Sequence, residues 1–590
     1  MDIAEDLRTP AAAAPQEDLA PLERLRSQFQ DYVGLKADET KEQRQARLYY
    51  HGSQWSAEQL RELRKRKQPP TTTPAFARKI NGFVGLVERL RQDPKAYPRT
   101  PDHDAGAELS TAALRYALDA QEWPSRSPLI SCNGAVDGIG GLELSLTAGD
   151  GGVPGDFDIE IDVVDPETFF YDPRSFRPDF SDARYMGVSK WMDADSAAEL
   201  FPEHADALRA LSAASGSEFA IESEREIKWV NTRERQVRVV EHWYRQGTRR
   251  WCYCFYTGNL KLAEGRSFLR DEKGRDQCRF IMWSAFVDQD GDRYGFFRHM
   301  KSLVDEINHR NSKALHLLNM RRIKAPRGAF DDIELARRES VRPDGVIEYN
   351  PGIGPVEFDD AKTLADMRGQ LQMQDRARTE LENFGPNPAL VGQGVEARSG
   401  RAIALLQQAG MAELGPFIIA YRGWKIRVYR AVWNAIRQHW TAQRWIRVTD
   451  DGGLMQQVEV NGRQVDPVTG QMQIVNSLGA LDVDIIIDEG PDAVNMQADA
   501  LDVLQAAAAQ GQQIPPQIMI ELLPLPDSLK KKLLGLLQQA QHPAPVAAQA
   551  QQIQLAGAAA QVDERRASAE LKQAQAQKAA REAALAPPAP

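Results

Sequence analysis

The chain has 590 residues, 42% hydrophobic and 26% charged, with a formal net charge of −10. That length exceeds what one hydrophobic core holds, so several domains or an elongated subunit are expected. The acidic balance excludes a phosphate-gripping surface as the dominant property, because neutralising phosphates calls for an excess of Lys and Arg.

Residues 1–25 read as a flexible arm, acidic and then Ala-rich, without the basic start and long apolar stretch of a secretory signal. No apolar run approaches the roughly 20 residues that a membrane helix needs, so a cytoplasmic protein without a membrane is expected. Residues 22–50 carry a charged helical pattern that breaks at 51–55. A basic helix follows over 56–67, with Ser56 and Gln59 at the spacing of a capping box. Further helices are predicted over 76–91 and 104–121.

From about 141 to 286 strand signals dominate, β-branched or aromatic runs between Gly, Asp and Pro, interrupted by one helix over 194–211. This predicts an α+β region with antiparallel pairing. Four cysteines, Cys132, Cys252, Cys254 and Cys278, form no C-x-x-C pair and read as reduced, buried thiols.

The period then switches. Met300, Leu303, Val304, Ile307, Ala314, Leu317 and Leu318 form a stripe that predicts a helix over 291–325, ending before Pro326. An irregular stretch, 326–358, carries a small strand signal at 345–349. A second helix is predicted over 359–383, with Leu364, Met367 and Leu371 on one face. Turn formers fill 384–400. A helix over 401–440 contains Pro416, which should kink it or end its first half; forty residues would span about 60 Å. Strands return over 445–488, helices over 491–540, and residues 541–590 are Ala- and Gln-rich.

Catalytic motifs are missing from the sequence. It contains no G-x-x-x-x-G-K-[ST], no G-x-S-x-G and no H-E-x-x-H. His309 and His316 share a helical face but lack a third ligand. Asp165, Asp172, Asp179 and Asp182 are the acidic cluster a two-metal nuclease would need. Three of the four flank proline, where Asp side chains cap turns, and the turn reading is preferred. No enzyme activity, metal or cofactor is expected. A metal-dependent nuclease, or another structural ring or scaffold, stays open as the alternative.

The order of parts resembles the portal family of short-tailed, double-stranded DNA phages, in the branch with a C-terminal helical barrel. The resemblance rests on the segment from Tyr49 to Trp55 and on Asp165–Pro166, Phe169, Asp172–Pro173, Asp182 to Arg184, and Trp191. It rests further on Asp305 to Lys313 with Asn319 to Arg321, on Ser399 to Ile403 with Gln407 and Gln408, on Trp445 to Arg447, on Val465 to Gly470, and on residues 482–490. It covers roughly residues 30–540. It implies a multi-part α+β portal fold. The wing would span 26–290, with antiparallel strands, and the stem helices 291–325 and 359–383, with a small α/β clip at 326–358. A tunnel loop would span 384–400. The long wing helix and returning strands would cover 401–490, a helical crown 491–540, and a barrel helix or tail 541–590.

The resemblance further implies a homododecameric ring at one capsid vertex that carries double-stranded DNA. Its partners would be the large terminase, head-tail adaptors, and scaffolding and coat proteins. The channel candidates on the stem are Lys301, Arg310, Lys313, Arg321, Arg322 and Lys324. The tunnel-loop candidates are Asn387, Gln393, Glu396, Arg398 and Arg401. The clip candidates for docking are Arg327, Asp331, Asp332, Arg337 and Arg338. Twelve copies at −10 make roughly −120 before counter-ions bind, a wall along which DNA slides rather than sticks.

Overall fold

The computed structural model describes residues 19–89, 93–98, 104–149, 156–213, 227–247, 250–318, 323–340, 342, 344–358, 360–384, 414–449, 455–465, 472–481 and 483–488. One compact unit comprises residues 1–448 and 457–490; a second, 449–456 and 491–590, lies almost wholly outside the described residues. The expected crown and the tail at 541–590 therefore fall outside it.

The chain opens with α1 (Leu22–Leu35) and α2 (Ala37–Tyr50). The single helical pattern of 22–50 is thus two helices, broken at Lys36, and α1 begins inside the expected arm of 1–25. Leu25 explains why: with Phe29 and Tyr32 it is buried against the aromatic rings of a sheet, and that burial outweighs the arm's polar start. Next comes α3 (Ala57–Lys65). Its start is the predicted capping box, with Gln59 N–H donating to the Ser56 hydroxyl at 3.1 Å and Ser56 N–H to the Gln59 side chain at 2.9 Å. Then follow α4 (Ala75–Arg89), β1 (Asp93–Pro98), α5 (Asp104–Ala120) and α6 (Trp123–Val136). Sequence reasoning missed β1 and α6: β1 is held by a partner almost 400 residues away, and α6 carries an internal proline, Pro128.

The strands β2 (Gly140–Ala148), β3 (Phe157–Val163), β4 (Phe169–Tyr171) and β5 (Tyr185–Asp193) precede two short helices, α7 (Ala194–Leu200) and α8 (Ala205–Ala213). These replace the single helix expected over 194–211, because Pro202 interrupts it. After them come β6 (Val230–Asn231), β7 (Gln236–Gln246), β8 (Arg250–Thr257), β9 (Leu260–Arg266), β10 (Phe280–Trp283), β11 (Phe286–Val287) and β12 (Arg293–Tyr294). The larger sheet has the order β4-β5-β7-β8-β9, with β6 beside β7; a smaller one has the order β10-β2-β3. All these pairs are antiparallel.

Period-two alternation sets the faces of β2. Leu142, Leu144 and Leu146 enter the main core, while Glu143 and Ser145 point the other way. There they meet the buried Arg279, which also lies 3.2 Å from Glu241. A charge this deep is tolerated because it is paired and hydrogen-bonded.

The remaining helices are α9 (Phe297–Leu318), α10 (Ile333–Glu339), α11 (Asp360–Asn383) and α12 (Gly415–His439), with β13 (Ile323–Lys324) and β14 (Glu357–Phe358) between them. The last strands are β15 (Arg444–Thr449), β16 (Met455–Val460), β17 (Gly462–Val465), β18 (Met472–Val475) and β19 (Val483–Asp488), of which β19 pairs with β1. The helix expected over 401–440 is described only from Gly415, and residues 401–413 lie outside the described set. Pro416 sits in the first turn of α12, where a missing N–H costs nothing. α12 runs through the main core. Phe417, Tyr421, Trp424, Val428, Val432 and Ile436 are all fully buried, and the Trp424 indole donates to the Ile281 carbonyl at 2.8 Å.

Two glycines fix where α9 leaves this core. A Cβ on Gly295 would lie 2.4 Å from the Ala135 carbonyl oxygen, and one on Gly138 would lie 2.3 Å from the Tyr294 carbonyl carbon. Gly138 also has φ +81°, open to glycine at no steric cost.

Candidate channel and docking surfaces

α9 and α11 run antiparallel. Phe384, at the end of α11, approaches His299 and Phe296 at the start of α9, and β13 pairs with β14 at the other end. By length α9 spans about 33 Å and α11 about 36 Å. Of the predicted stripe, Met300, Val304, Ile307, Ala314 and Leu317 are buried, Leu303 is half-buried and Leu318 is exposed, and Phe297, Asn308 and Ser312 complete the buried face of α9. Among the described residues of α11, Ala377 and Leu381 are buried, while Leu364 and Leu371, expected on one face with Met367, are exposed on the single chain. Gln370 stands on the α9 side instead, accepting from Arg310 at 3.0 Å.

The stem cations are less free than their sequence suggests. Lys301 pairs with Asp305 at 3.2 Å and Arg310 with Glu306 at 3.3 Å, both one turn away on the same helix. Lys313 is half-buried and Lys324 exposed, while Arg321 and Arg322 lie outside the described residues. Asn387, Gln393, Glu396, Arg398 and Arg401 all lie outside them as well.

In the stretch between the helices, Asp332 caps α10, accepting from the backbone of Glu334 at 2.8 Å and Leu335 at 3.1 Å. That is a structural use of its carboxylate. Asp331 accepts from Asn350, Arg337 lies 3.9 Å from Glu334, and Arg327 and Arg338 are exposed. The strand expected at 345–349 does not form; the strands of this stretch are β13 and β14 at its ends. With no neighbouring strand among the described residues, Val346 and Tyr349 stay exposed. Ile333, Leu335 and Ile353 are exposed beside them.

Sequence reasoning missed how α9 is fastened. The buried Asn308 side chain accepts from Thr73 N–H at 2.9 Å and donates to the Gln54 amide oxygen. Gln68 donates to Ser312 at 2.9 Å, and Ser312 donates to the Pro69 carbonyl at 2.7 Å. The Tyr49 hydroxyl donates to Asp305, and the Trp55 indole to Thr71 at 3.1 Å. Burial and that acidic neighbour push the Tyr49 hydroxyl far above its ordinary range. Closer to the root of α9, Arg298 forks onto Glu42 of α2 and also reaches Asp288 at 2.8 Å. The segment 49–73 and the helix 305–312 are thus one polar joint. The side chains that make it, Tyr49, Gln54, Gln68, Asn308 and Ser312, are uncharged polar groups in stretches that also carry Lys, Arg and Glu, which hid the signal.

The acidic cluster is scaffolding. Asp172 accepts both arms of Arg184, and Asp182 accepts from Ser175 and from the backbone of Phe176 and Arg177. These donors hold both carboxyls below the usual range. Asp179 accepts from the Ser181 N–H, and Asp165 binds Arg47. Among the described residues no group of three or more Asp, Glu, His or Cys could hold a metal. His309 packs edge-on against Trp55, and the four cysteines are free thiols, three of them buried. No described helix is long and apolar enough to cross a membrane.

The family model of phage P22-like portal proteins matches residues 26–249 and 245–587. The chain belongs to that family. The portal protein of Helicobacter pylori bacteriophage KHP30 is 21% identical over 419 residues, which is 69% of this chain and 64% of that protein. The chain therefore spans somewhat less than two thirds of that relative's length.

Proposed function

We propose that this chain is the subunit of a portal ring: a non-enzymatic conduit at one capsid vertex, through which double-stranded DNA enters during packaging and leaves on ejection. One observation carries this reading best. Two long antiparallel helices bracket a stretch whose Ile333 and Val346 are 70% and 74% exposed. Apolar surface left open on a single chain marks a place where another chain sits. The family relationship supports copies of the same chain along α9 and α11, as a homododecamer. It also supports docking of the large terminase, and later of head-tail adaptors, on the stretch 326–358. Arg327, Asp331, Arg337 and Arg338 would give that surface its polar edge, while Asp332 holds α10 in shape. Scaffolding and coat proteins would meet the outer face.

Lys301, Arg310, Lys313, Arg321, Arg322 and Lys324 are the proposed stem cations. The loop residues Asn387, Gln393, Glu396, Arg398 and Arg401 are the proposed lining nearest the DNA. Pairing Lys301 and Arg310 with acids one turn away fits a wall that DNA passes without being held, since each free cation would add to a salt-dependent grip. The assembled particle would sit in the virion, after assembly in host cytoplasm.

Class averages of the purified protein by electron microscopy test this. Twelve-fold rings with a central channel are expected. A chain that stays monomeric at every concentration, with terminase and scaffold present, would refute the ring. Tight binding of a free ring to duplex DNA at physiological salt would refute the sliding wall.

A further inference from the structure

On the larger sheet, Trp191 of β5 and Arg238 of β7 are directly opposed across the strands. The Arg238 guanidinium carbon lies over the indole, 4.6 Å from the ring centroid. Among the described residues no carboxylate lies within ion-pair distance of it, and its Nε is buried without a partner. The neighbouring charge is Arg44, a second guanidinium, and burial together with that like charge lowers the affinity of Arg238 for its proton. Arg44 itself is engaged, donating to Glu167 at 2.9 Å. Trp191 is 38% exposed, on the outer half of β5 where Lys190 and Met192 are half-buried and Asp193 is exposed. A partly desolvated cation is normally neutralised by an acid of its own chain. Here the surrounding residues supply a second cation and an open aromatic edge.

We propose that Arg238, lying on Trp191 beside Arg44, is the receiving half of a carboxylate site, filled by an Asp or Glu side chain of a partner polypeptide. The indole holds the guanidinium in place, and the outer pair of its planar donors suits a planar two-oxygen acceptor in bidentate fashion. Because Arg44 already serves Glu167, the site offers one guanidinium edge and takes one carboxylate. The exposed indole edge covers the methylenes of that side chain. A nucleic-acid strand fits less well: a chain of net charge −10 repels an extended polyanion around the one cation that welcomes it. The site is on β5 and β7, not on α9, α10 or α11. A failed ring leaves it untouched, and its own failure leaves the ring reading standing.

The test uses the full-length protein and small probes. Acetate, inorganic phosphate and chloride are titrated at matched ionic strength, with indole emission and the thermal midpoint as readouts. Acetate is expected to give a saturable emission change in the wild type and to raise the midpoint by about 1–2 °C over chloride. Arg238→Gln abolishes both effects. Arg238→Lys keeps a point charge without the fork and weakens acetate binding about tenfold. Trp191→Phe loses the emission change but keeps part of the midpoint shift. Equal responses in wild type and Arg238→Gln would overturn the site. A wild-type preference for phosphate over acetate would overturn its assignment to a carboxylate.

Discussion

Replacing Asn308 by alanine tests whether α9 is held by its polar joint or by its apolar stripe. The side chain gives and takes one hydrogen bond at a position that is 2% exposed. Removing it leaves the Gln54 amide oxygen without its donor and the Thr73 N–H without its acceptor. A buried unpaired group costs about 1–3 kcal/mol. Gln54 is buried and takes the full penalty, whereas Thr73 is partly reached by water and takes less. The expected loss is therefore about 2–3 kcal/mol. The comparison is Lys301→Ala, which removes an exposed i,i+4 pair and should cost no more than about 0.5 kcal/mol. Asn308→Asp keeps the acceptor for Thr73 but sets a carboxylate against the Gln54 oxygen, and should fall between the two. Urea unfolding followed by tryptophan emission measures all three, and Trp55 reports from within the joint through its bond to Thr71. If Asn308→Ala costs no more than Lys301→Ala, the joint contributes nothing and the apolar stripe alone seats the helix.

Other substitutions probe the root of α9, the acidic turns and the sheet. Gly295→Ala drives a methyl into the Ala135 carbonyl, backbone against backbone, and should cost about 2–3 kcal/mol in the same assay. Asp172→Asn should lower stability by about 1 kcal/mol through the Arg184 fork; incubation of the wild type with duplex DNA and Mg²⁺ or Mn²⁺ should leave the DNA intact, and cleavage lost in Asp172→Asn would revive the nuclease alternative. His242 is fully buried among Phe170, Tyr185 and Tyr256, and burial pushes it down to about 3. The unfolded chain therefore takes up this proton first. The contribution is present above pH 6.5 and is lost as pH falls from 6.5 toward 3, at up to about 1.4 kcal/mol per pH unit. The difference in stability between wild type and His242→Phe, measured from pH 7.5 to 4.5, should follow that slope, and a flat difference would sink it.

Much of this fold was legible because its local signals agree with its packing. The α9 stripe, the Ser56–Gln59 box and the alternation of β2 each appear where the spacing puts them. The misreadings share one cause: a distant partner overrides the local pattern. Leu25 is drawn out of a polar arm by the aromatic rings of a sheet formed 150 residues later. β1 exists because β19 returns to it. Residues 345–349 have strand chemistry and no strand to pair with, so they stay irregular. The candidate surface was legible as a list of charges, but not as a geometry. Sequence shows that Lys301 and Arg310 are cations; only the folded helix shows that Asp305 and Glu306 already answer them.

The use of polar groups at the joint has a physical reason beyond stability. Apolar side chains that pack against a helix tolerate a shift along it, because dispersion and burial change little when one methyl replaces another as neighbour. The hydrogen bonds that Asn308, Ser312 and Asp305 accept from Thr73, Gln68 and Tyr49, and the one Ser312 donates to the Pro69 carbonyl, do not: a displacement of one residue leaves several buried groups unpaired at once. The joint thus fixes the register of α9 against residues 49–73. Deeper in the body, Trp283 packs edge-on against Phe417 and tilted against Tyr421 and Trp424. In the proposed ring, neighbouring copies would meet α9 and α11 at one height, which calls for a register held by directional bonds.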